Sequence, residues 1–261
     1  MNNDKILEKK RYDARAKKLL QNKQKLAKQK IFGASSIKLF LRKPYLLYED
    51  LISKNIKKGS KVIEIGSGIG GHTEILLKTN ADITLSDISI DSLNVLDNVF
   101  CKSYKNFNIL EADMENIPVR DNSFDFVVSA GSMSYGNKEI LQKEIYRILK
   151  PGGYLIVVDS LNNNLIYKIN RYFNYLRGKR SKNTLLNMMK LNDIMKYSVQ
   201  FKLKELHFFG SITWLVPLLR FFLSEVMISK VINYFDKFIN VKKSAFKFVI
   251  HLQKKKIKNY H

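Results

Sequence analysis

Ten residues constrain the fold more than any others: Val62-Ile63-Glu64-Ile65-Gly66-Ser67-Gly68-Ile69-Gly70-Gly71. A β-branched apolar run ends in a cluster of glycines, and a helical pattern follows. Glycine permits positive φ and removes side chains where a ligand must approach the backbone. The segment therefore predicts a strand, a ligand-cradling turn and a helix. Gly66, Gly68 and Gly71 satisfy the dinucleotide fingerprint. Asp87 lies 21 residues beyond Gly66, at the end of the second predicted strand, where a ribose-binding acid belongs. These residues predict a bound nucleoside without choosing which cofactor carries it. The competing reading of Asp87 is a cap for the helix over 89–99.

Around this turn, short apolar runs alternate with helical segments. Predicted strands cover 61–65, 82–86, 108–110, 124–129 and 154–158, with helices over 74–78, 91–99 and 138–149 between them. Strands apolar on both faces and separated by helices predict a parallel sheet covered on both sides. Lys202 to Phe209 and Ser244 to Gln253 read as a closing strand pair, and Lys254-Lys255-Lys256 as a frayed tail. Residues 4–31 read as exposed basic helix. A second amphipathic stretch is expected to break at Pro44. The chain thus divides into a basic arm (1–58), an α/β core (59–160) and a C-terminal part (161–261) with a helical insert at 208–240.

Charge is distributed unevenly along the chain. The net charge is +23, with 17 basic and 5 acidic side chains in 1–60, 9 and 14 in 61–160, and 20 and 4 in 161–261. Two basic arms flanking a mildly acidic middle favour anionic partners: nucleic acid, anionic lipid or a phosphate-bearing substrate. A lysine- and asparagine-rich composition explains the lysines but not the acidic middle. A single cysteine, Cys101, excludes an intrachain disulfide framework and a thiolate-rich zinc site, so a reducing cytoplasm is expected. The opening residues lead into charge rather than an apolar run, so no secretory signal is expected. The nearest approach to a membrane span, Phe208 to Leu223, is interrupted by Pro217 and Arg220.

Further motifs choose the cofactor. Glu64 stands two residues before Gly66. Glu111-Ala112-Asp113-Met114 follows the third strand and leads to Ile117-Pro118. Ser123-Phe124-Asp125-Phe126-Val127-Val128 forms the fourth strand, and Leu149-Lys150-Pro151-Gly152-Gly153 precedes the fifth. In this order they resemble the class I S-adenosylmethionine (SAM)-dependent methyltransferases, in particular the type 11 small-molecule branch, from about Lys61 to Asp159. The resemblance implies a Rossmann-like, doubly wound seven-stranded sheet whose last strand is antiparallel, SAM as methyl donor, and no metal. It implies that backbone at Gly66, Ser67 and Gly68 passes under the methionine portion and that Glu64 holds its ammonium group. It implies that Asp87 receives the ribose hydroxyls, Ile88 lies on the adenine, Asp113 receives the adenine amino group, Met114 packs on the ring, and Ser129 faces the methionine end.

The acceptor is less constrained. A hydroxyl acceptor needs a general base, whereas an activated carbon or amine can do without one. His72, Tyr135 and His207 are the candidates, and Tyr12 is a candidate cap on the cofactor; no catalytic residue is assigned. Ser129-Ala130-Gly131-Ser132 stands where amino-methylating nucleic-acid enzymes of the superfamily carry Asn/Asp-Pro-Pro-aromatic, which opposes base methylation. Cys101 lies outside the region a cytosine carbon-5 enzyme would use, and its expected role is burial. The insert at 208–240 reads as an interfacial element on an anionic membrane or as a lid on its own sheet. Tyr172 to Arg180 mixes aromatics and cations suited to sugar rings and diphosphate. This C-terminal part is loosely similar to methyltransferases of bacterial surface-polysaccharide pathways. The expected protein is a cytoplasmic methyltransferase, peripheral to the inner face of the membrane, acting on a hydroxyl of a sugar or lipid-linked intermediate. RNA methylation and a non-catalytic nucleoside-binding scaffold are the alternatives.

Overall fold

The computed structural model describes residues 3–21, 32–178, 181–238 and 242–256. Its seven strands are β1 (Lys61–Ile65), β2 (Asp82–Asp87), β3 (Phe107–Glu111), β4 (Phe124–Ala130), β5 (Leu149–Ser160), β6 (Phe201–Phe209) and β7 (Lys247–Lys254). They form one sheet in the order β3-β2-β1-β4-β5-β7-β6. The pairs from β3 through β5 are parallel, and β7 runs antiparallel to both β5 and β6. This is the doubly wound sheet with an antiparallel last strand that the motifs implied.

Helices α1 (Asn3–Leu20), α2 (Leu39–Asn55), α3 (Glu74–Leu77), α4 (Ile90–Phe100), α5 (Lys138–Ile148), α6 (Leu165–Leu176), α7 (Lys182–Asn187), α8 (Leu191–Lys196), α9 (Val216–Leu219) and α10 (Glu225–Phe238) surround it. Alternate side chains of each central strand enter different cores. Ile63, Val127 and Val157 pack with Leu141 and Ile145 of α5. Val62, Val128 and Ile156 pack with Tyr48 and Ile52 of α2 and with Leu96 of α4. Burial on both faces is why these strands read as continuous apolar runs rather than as alternating ones.

Helix α1 of the arm ends at Leu20, and the helical expectation over 22–31 lies outside the described residues. Two expectations need correction. Pro44 does not break α2; it lies buried inside the helix, five residues after its first residue Leu39, where a proline removes a single backbone hydrogen bond. Lys254 is not frayed. It ends β7 with its stem buried, and its Nζ donates to Leu149 O (2.6 Å), Tyr146 O (2.7 Å) and Asn122 Oδ1 (2.9 Å). An ammonium has three donors, and all three are satisfied here.

The loop after β3 is tied to α5 by one guanidinium. Arg147 Nη2 donates to Glu144 Oε1 (2.8 Å) and Ile117 O (2.9 Å), and Nη1 donates to Val119 O (2.8 Å) and Asp121 Oδ1 (2.7 Å). Ile117 N donates to the same Glu144 Oε1 at 2.6 Å. Arg147→Ala would strand the buried Glu144 carboxylate without a cation. It is expected to lower stability by about 3 kcal/mol, read as a lower urea midpoint with native secondary structure retained before the transition.

Candidate active site

The strand order reverses between β1 and β4, so the connections leaving these neighbours pass to opposite faces and leave a crevice at their carboxyl ends. The glycine turn crosses this crevice. Gly66 has φ +69°, and a Cβ there would collide with the Ser132 side chain. Gly70 has φ +85°, and a Cβ there would sit 2.7 Å from the Phe100 ring. Side chains at these two positions would therefore either strain the backbone or push apart the walls of the turn.

Two adjoining cavities share Tyr12, Gly66, Gly68 and Ala130. The first, about 190 Å³, is lined by Asp87, Ile88, Asp113, Met114, Gly131 and Tyr135 among others. The second, about 170 Å³, is lined by Glu64, Ser67, Ile69, Gly71, His72 and Arg15. Eight of the predicted site residues thus come together on the two walls. The ninth does not: Ser129 is fully buried behind them. Its Oγ lies 2.6 Å from Ser132 Oγ, which donates to Ile65 O at 2.9 Å. Ser129 braces the turn, and Ala130 and Gly131 provide the surface.

The carboxylates of the site differ in environment. Asp87 accepts from Gly68 N (2.8 Å) on Oδ2 and from Ser89 N (2.9 Å) on Oδ1. Burial raises its pKa, and neighbouring backbone amides oppose the rise. The cap of α4 is Ser89, whose Oγ accepts from Ser92 N, so the capping reading of Asp87 fails. The Ile88 amide also acts on this carboxylate, and with about four lone-pair sites on a carboxylate Asp87 keeps acceptor capacity facing the cavity. Asp113 accepts from Glu115 N (3.0 Å) and from Lys5 Nζ (2.6 and 2.9 Å), so it is both a turn residue and a cavity wall. Glu64 is 2% exposed. Burial pushes its carboxyl up to about 7, the charge of Asp87 adds to the rise, and hydrogen bonds from Thr73 and Ser67 oppose it. Thr73 Oγ1 donates to Glu64 Oε2 at 2.5 Å.

Sequence reasoning offered Tyr12 as a cap but missed the rest of the roof. Helix α1 lies across both cavities, with Asp4, Lys5, Glu8 and Tyr12 lining the first and Tyr12 and Arg15 the second. Lys5 pairs with Asp113 and Glu115, Lys9 with Glu111, and Lys17 with Asp91. Asp13 accepts from Ser89 Oγ at 2.6 Å. Lysines that read as attractors for outside anions are thus paired with the acidic middle of the same chain. That complementarity was the available signal. Tyr12 stands at the junction of the cavities, its ring edge-on to Tyr135 and its hydroxyl donating to the Tyr135 hydroxyl at 2.6 Å. The N-terminal end of α7 was also missed. Ser181, Asn183 and Thr184 line the first cavity. Backbone amides of Ser181 and Asn183 donate to Glu8 and Asp4 of α1.

His72 lines the second cavity, stacked on Tyr45 at 4.5 Å. Burial, with help from the Lys247 charge, pushes its pKa down to about 4, so the ring is neutral near pH 7. Its Nδ1 is buried without a hydrogen-bond partner among the described residues. His207 is not part of the site. It sits on the edge strand β6, where Nε2 lies 3.0 Å from Glu205 Oε2. Cys101 follows α4 and is only half-buried. Among the described residues no His, Cys, Asp and Glu group could hold a metal ion.

Known proteins supply an independent comparison. A family model described as a methyltransferase domain matches residues 63–157. A fatty-acid O-methyltransferase of Mycolicibacterium smegmatis is 30% identical over 120 residues, 44% of this chain and 42% of that protein. A ubiquinone/menaquinone biosynthesis C-methyltransferase of Haemophilus ducreyi is 33% identical over 112 residues, 40% of this chain and 42% of that protein. The matches to these relatives span about two fifths of their length. Among solved structures, geranyl diphosphate C-methyltransferase from Streptomyces coelicolor shares the fold at TM-score 0.58 and 13% identity, over 80% of each chain. The glycine turn, the crevice at the strand reversal and the sequence matches fall on the same stretch: residues 63–157 are a methyltransferase domain of the class I S-adenosylmethionine-dependent family.

Proposed function

We propose that this protein transfers a methyl group from SAM to a hydroxyl on a sugar or lipid-linked intermediate in the cytoplasm, with the nucleoside of the donor in the first cavity and its methionine portion in the second. The observation that carries this reading is Glu64. A buried carboxyl with a raised pKa and no cation bonded to it among the described residues has a strong preference for a neighbouring ammonium. Gly66 and Gly68 offer bare backbone beside it. The acceptor capacity that Asp87 keeps on the cavity side suits ribose hydroxyls, and Ile88 and Met114 supply apolar surface for a base. Asp113 keeps about one acceptor position beyond its bonds to Lys5 and Glu115 N, enough for one exocyclic amino hydrogen.

When bound, SAM supplies a methyl group on a sulfonium centre that becomes neutral as the methyl leaves. The chain's own residues then have two tasks, alignment and the exclusion of water. Glu64 and Asp87 fix the two ends of the donor. Tyr12, above the junction, and Ser181, Asn183 and Thr184, at the side, cover the crevice. A hydroxyl acceptor must also lose a proton. Of the candidates the sequence offered for this proton, Tyr135 stands on the wall of the first cavity and the neutral His72 on the wall of the second. RNA methylation is the second reading. It rests on the remaining basic surface, and it loses support because Lys5, Lys9 and Lys17 are paired within the chain.

Incorporation of labelled methyl from SAM into sugar and lipid-linked acceptors, with RNA in parallel, tests the assignment. Binding without transfer to any acceptor would favour a scaffold. In calorimetry, Asp87→Ala is expected to weaken SAM binding by roughly thirtyfold, equivalent to about 2 kcal/mol, and Lys255→Ala to leave it unchanged. Equal effects would displace the site.

The raised pKa of Glu64 adds a pH signature. An adjacent ammonium lowers the carboxyl's pKa, so binding releases a proton wherever the free protein still holds one. Affinity should therefore rise with pH up to about 7 and level off above it. Calorimetry in buffers of different ionisation enthalpy should detect proton release one unit below that value, and Glu64→Gln should abolish this contribution. A flat profile in the wild type would place the ammonium elsewhere.

A further inference from the structure

Helix α6 is inverted relative to an ordinary surface helix. It buries Tyr167 and Arg171 and turns its apolar stripe outward. Arg171 Nη1 donates to Leu161 O and Asn162 Oδ1, both at 2.8 Å, and the guanidinium lies over the Phe246 ring. Tyr167 OH donates to Gly210 O at 3.0 Å. Leu165, Ile166, Ile169, Tyr172, Phe173 and Leu176 follow helical spacing on the exposed side, with Leu165 68% and Leu176 61% accessible. A stripe of this kind normally faces a core.

A second apolar group lies on the segment hydrogen-bonded to α6. Asn164 Nδ2 donates to Ser244 Oγ, which donates to Ser211 O. From there α9 and α10 expose Leu218, Phe221, Phe222, Val226 and Met227, with Phe221 81% and Phe222 78% accessible. Lys168, Arg177, Arg220, Lys230 and Lys237 are interspersed and exposed. The stretches 165–176 and 206–224 contain no acidic residue. Of the two carboxylates of α10, the half-buried Asp236 accepts from Gly210 N and Ser211 N, whereas Glu225 is exposed and accepts from Leu39 N. The surface is therefore apolar and net positive, with these five exposed cations against the one exposed carboxylate of Glu225.

We propose that α6 and the α9–α10 segment form a docking surface for an anionic lipid bilayer. Aliphatic and aromatic side chains enter the boundary between headgroups and acyl chains, and the long cationic side chains reach back to lipid phosphate. Two features of the surface favour a bilayer over other occupants. A second copy would bring the same positive charge against this face. A single-stranded nucleic acid would stack on Tyr172 and Phe173 but gains nothing from Leu165, Ile166, Ile169 and Leu176, which have no π-face. No described helix is long and apolar enough to cross a membrane, so the contact is peripheral. Ser181, on the wall of the first cavity, follows shortly after the end of α6. A docked α6 would thus hold the mouth of the site near the bilayer.

Co-sedimentation of the full chain with phosphatidylcholine vesicles, with and without phosphatidylglycerol, tests this surface. Binding is expected to need phosphatidylglycerol and to weaken with salt. The paired changes Ile169→Glu with Phe173→Glu, and separately Phe221→Ser with Phe222→Ser, should each weaken binding by roughly tenfold or more. Lys57→Glu, on the exposed loop before β1, should change it little. All four substituted apolar side chains are exposed, so melting temperature and calorimetric SAM binding should stay at wild-type values. That keeps failure of this surface distinct from failure of the donor site. Vesicle binding that the paired changes leave intact would overturn the proposal. So would its absence at moderate ionic strength, a dimer in sedimentation that the same changes dissolve, or an RNA complex that they weaken.

Discussion

The reversal of strand order between β1 and β4 is the constraint from which the site follows. Two adjacent parallel strands whose onward connections go to opposite faces leave their carboxyl ends uncovered. The backbone that crosses this gap has little room. Gly66 lies against Ser132, and Gly70 against Phe100. Ser132 in turn is held by Ser129 and by the carbonyl of Ile65. The turn is thus clamped from the β4 side, and backbone amides are presented to the crevice in fixed positions. Asp87 receives one of them, from Gly68, which links the ends of β1 and β2 across the cavity.

Electrostatics closes the crevice from above. The acidic residues after β3 would repel one another if left exposed, and they sit where α1 can reach them. Lys5 bridges Asp113 and Glu115, and Lys9 meets Glu111. Exposed ion pairs are individually weak, but Lys5 is largely buried and bonds to two carboxylates. On the other side of the helix, Asp4 and Glu8 accept from backbone amides at the N-terminal end of α7. The helix is therefore held on two sides by opposite kinds of contact, and Tyr12 is positioned over the junction of the cavities.

The same chain handles apolar surface in two opposite ways. In the sheet, apolar runs are buried on both faces and bring α2, α4 and α5 against it. In α6 the buried positions go to an arginine and a tyrosine; Arg171 Nη1 donates to a backbone carbonyl and an amide side chain, and the Tyr167 hydroxyl donates to a backbone carbonyl. The apolar side chains are left outside. Leaving so many large apolar groups in water carries a hydrophobic cost, and it is offset only if something other than water covers them.

The sequence by itself determined the α/β alternation, the strand–turn–helix unit at Gly66 to Gly71 and the positions of Glu64, Asp87 and Asp113 relative to it. Those features are local: strand periodicity, glycine conformation and fixed spacing are set within a few residues. Tertiary structure decided what depends on distant partners. Ser129 and Ala130 are neighbours in sequence, yet strand pleating sends one behind the wall and the other onto it. Pro44 lies inside a helix because packing against the sheet outweighs one lost hydrogen bond. The lysines of α1 and the terminal Lys254 read as solvated charge, because nothing near them in sequence reveals the carboxylates and carbonyls that they meet across the fold. The stripe on α6 was hidden for the same reason: its periodicity was present in the sequence, but which face turns outward is set by where Arg171 and Tyr167 find their hydrogen bonds.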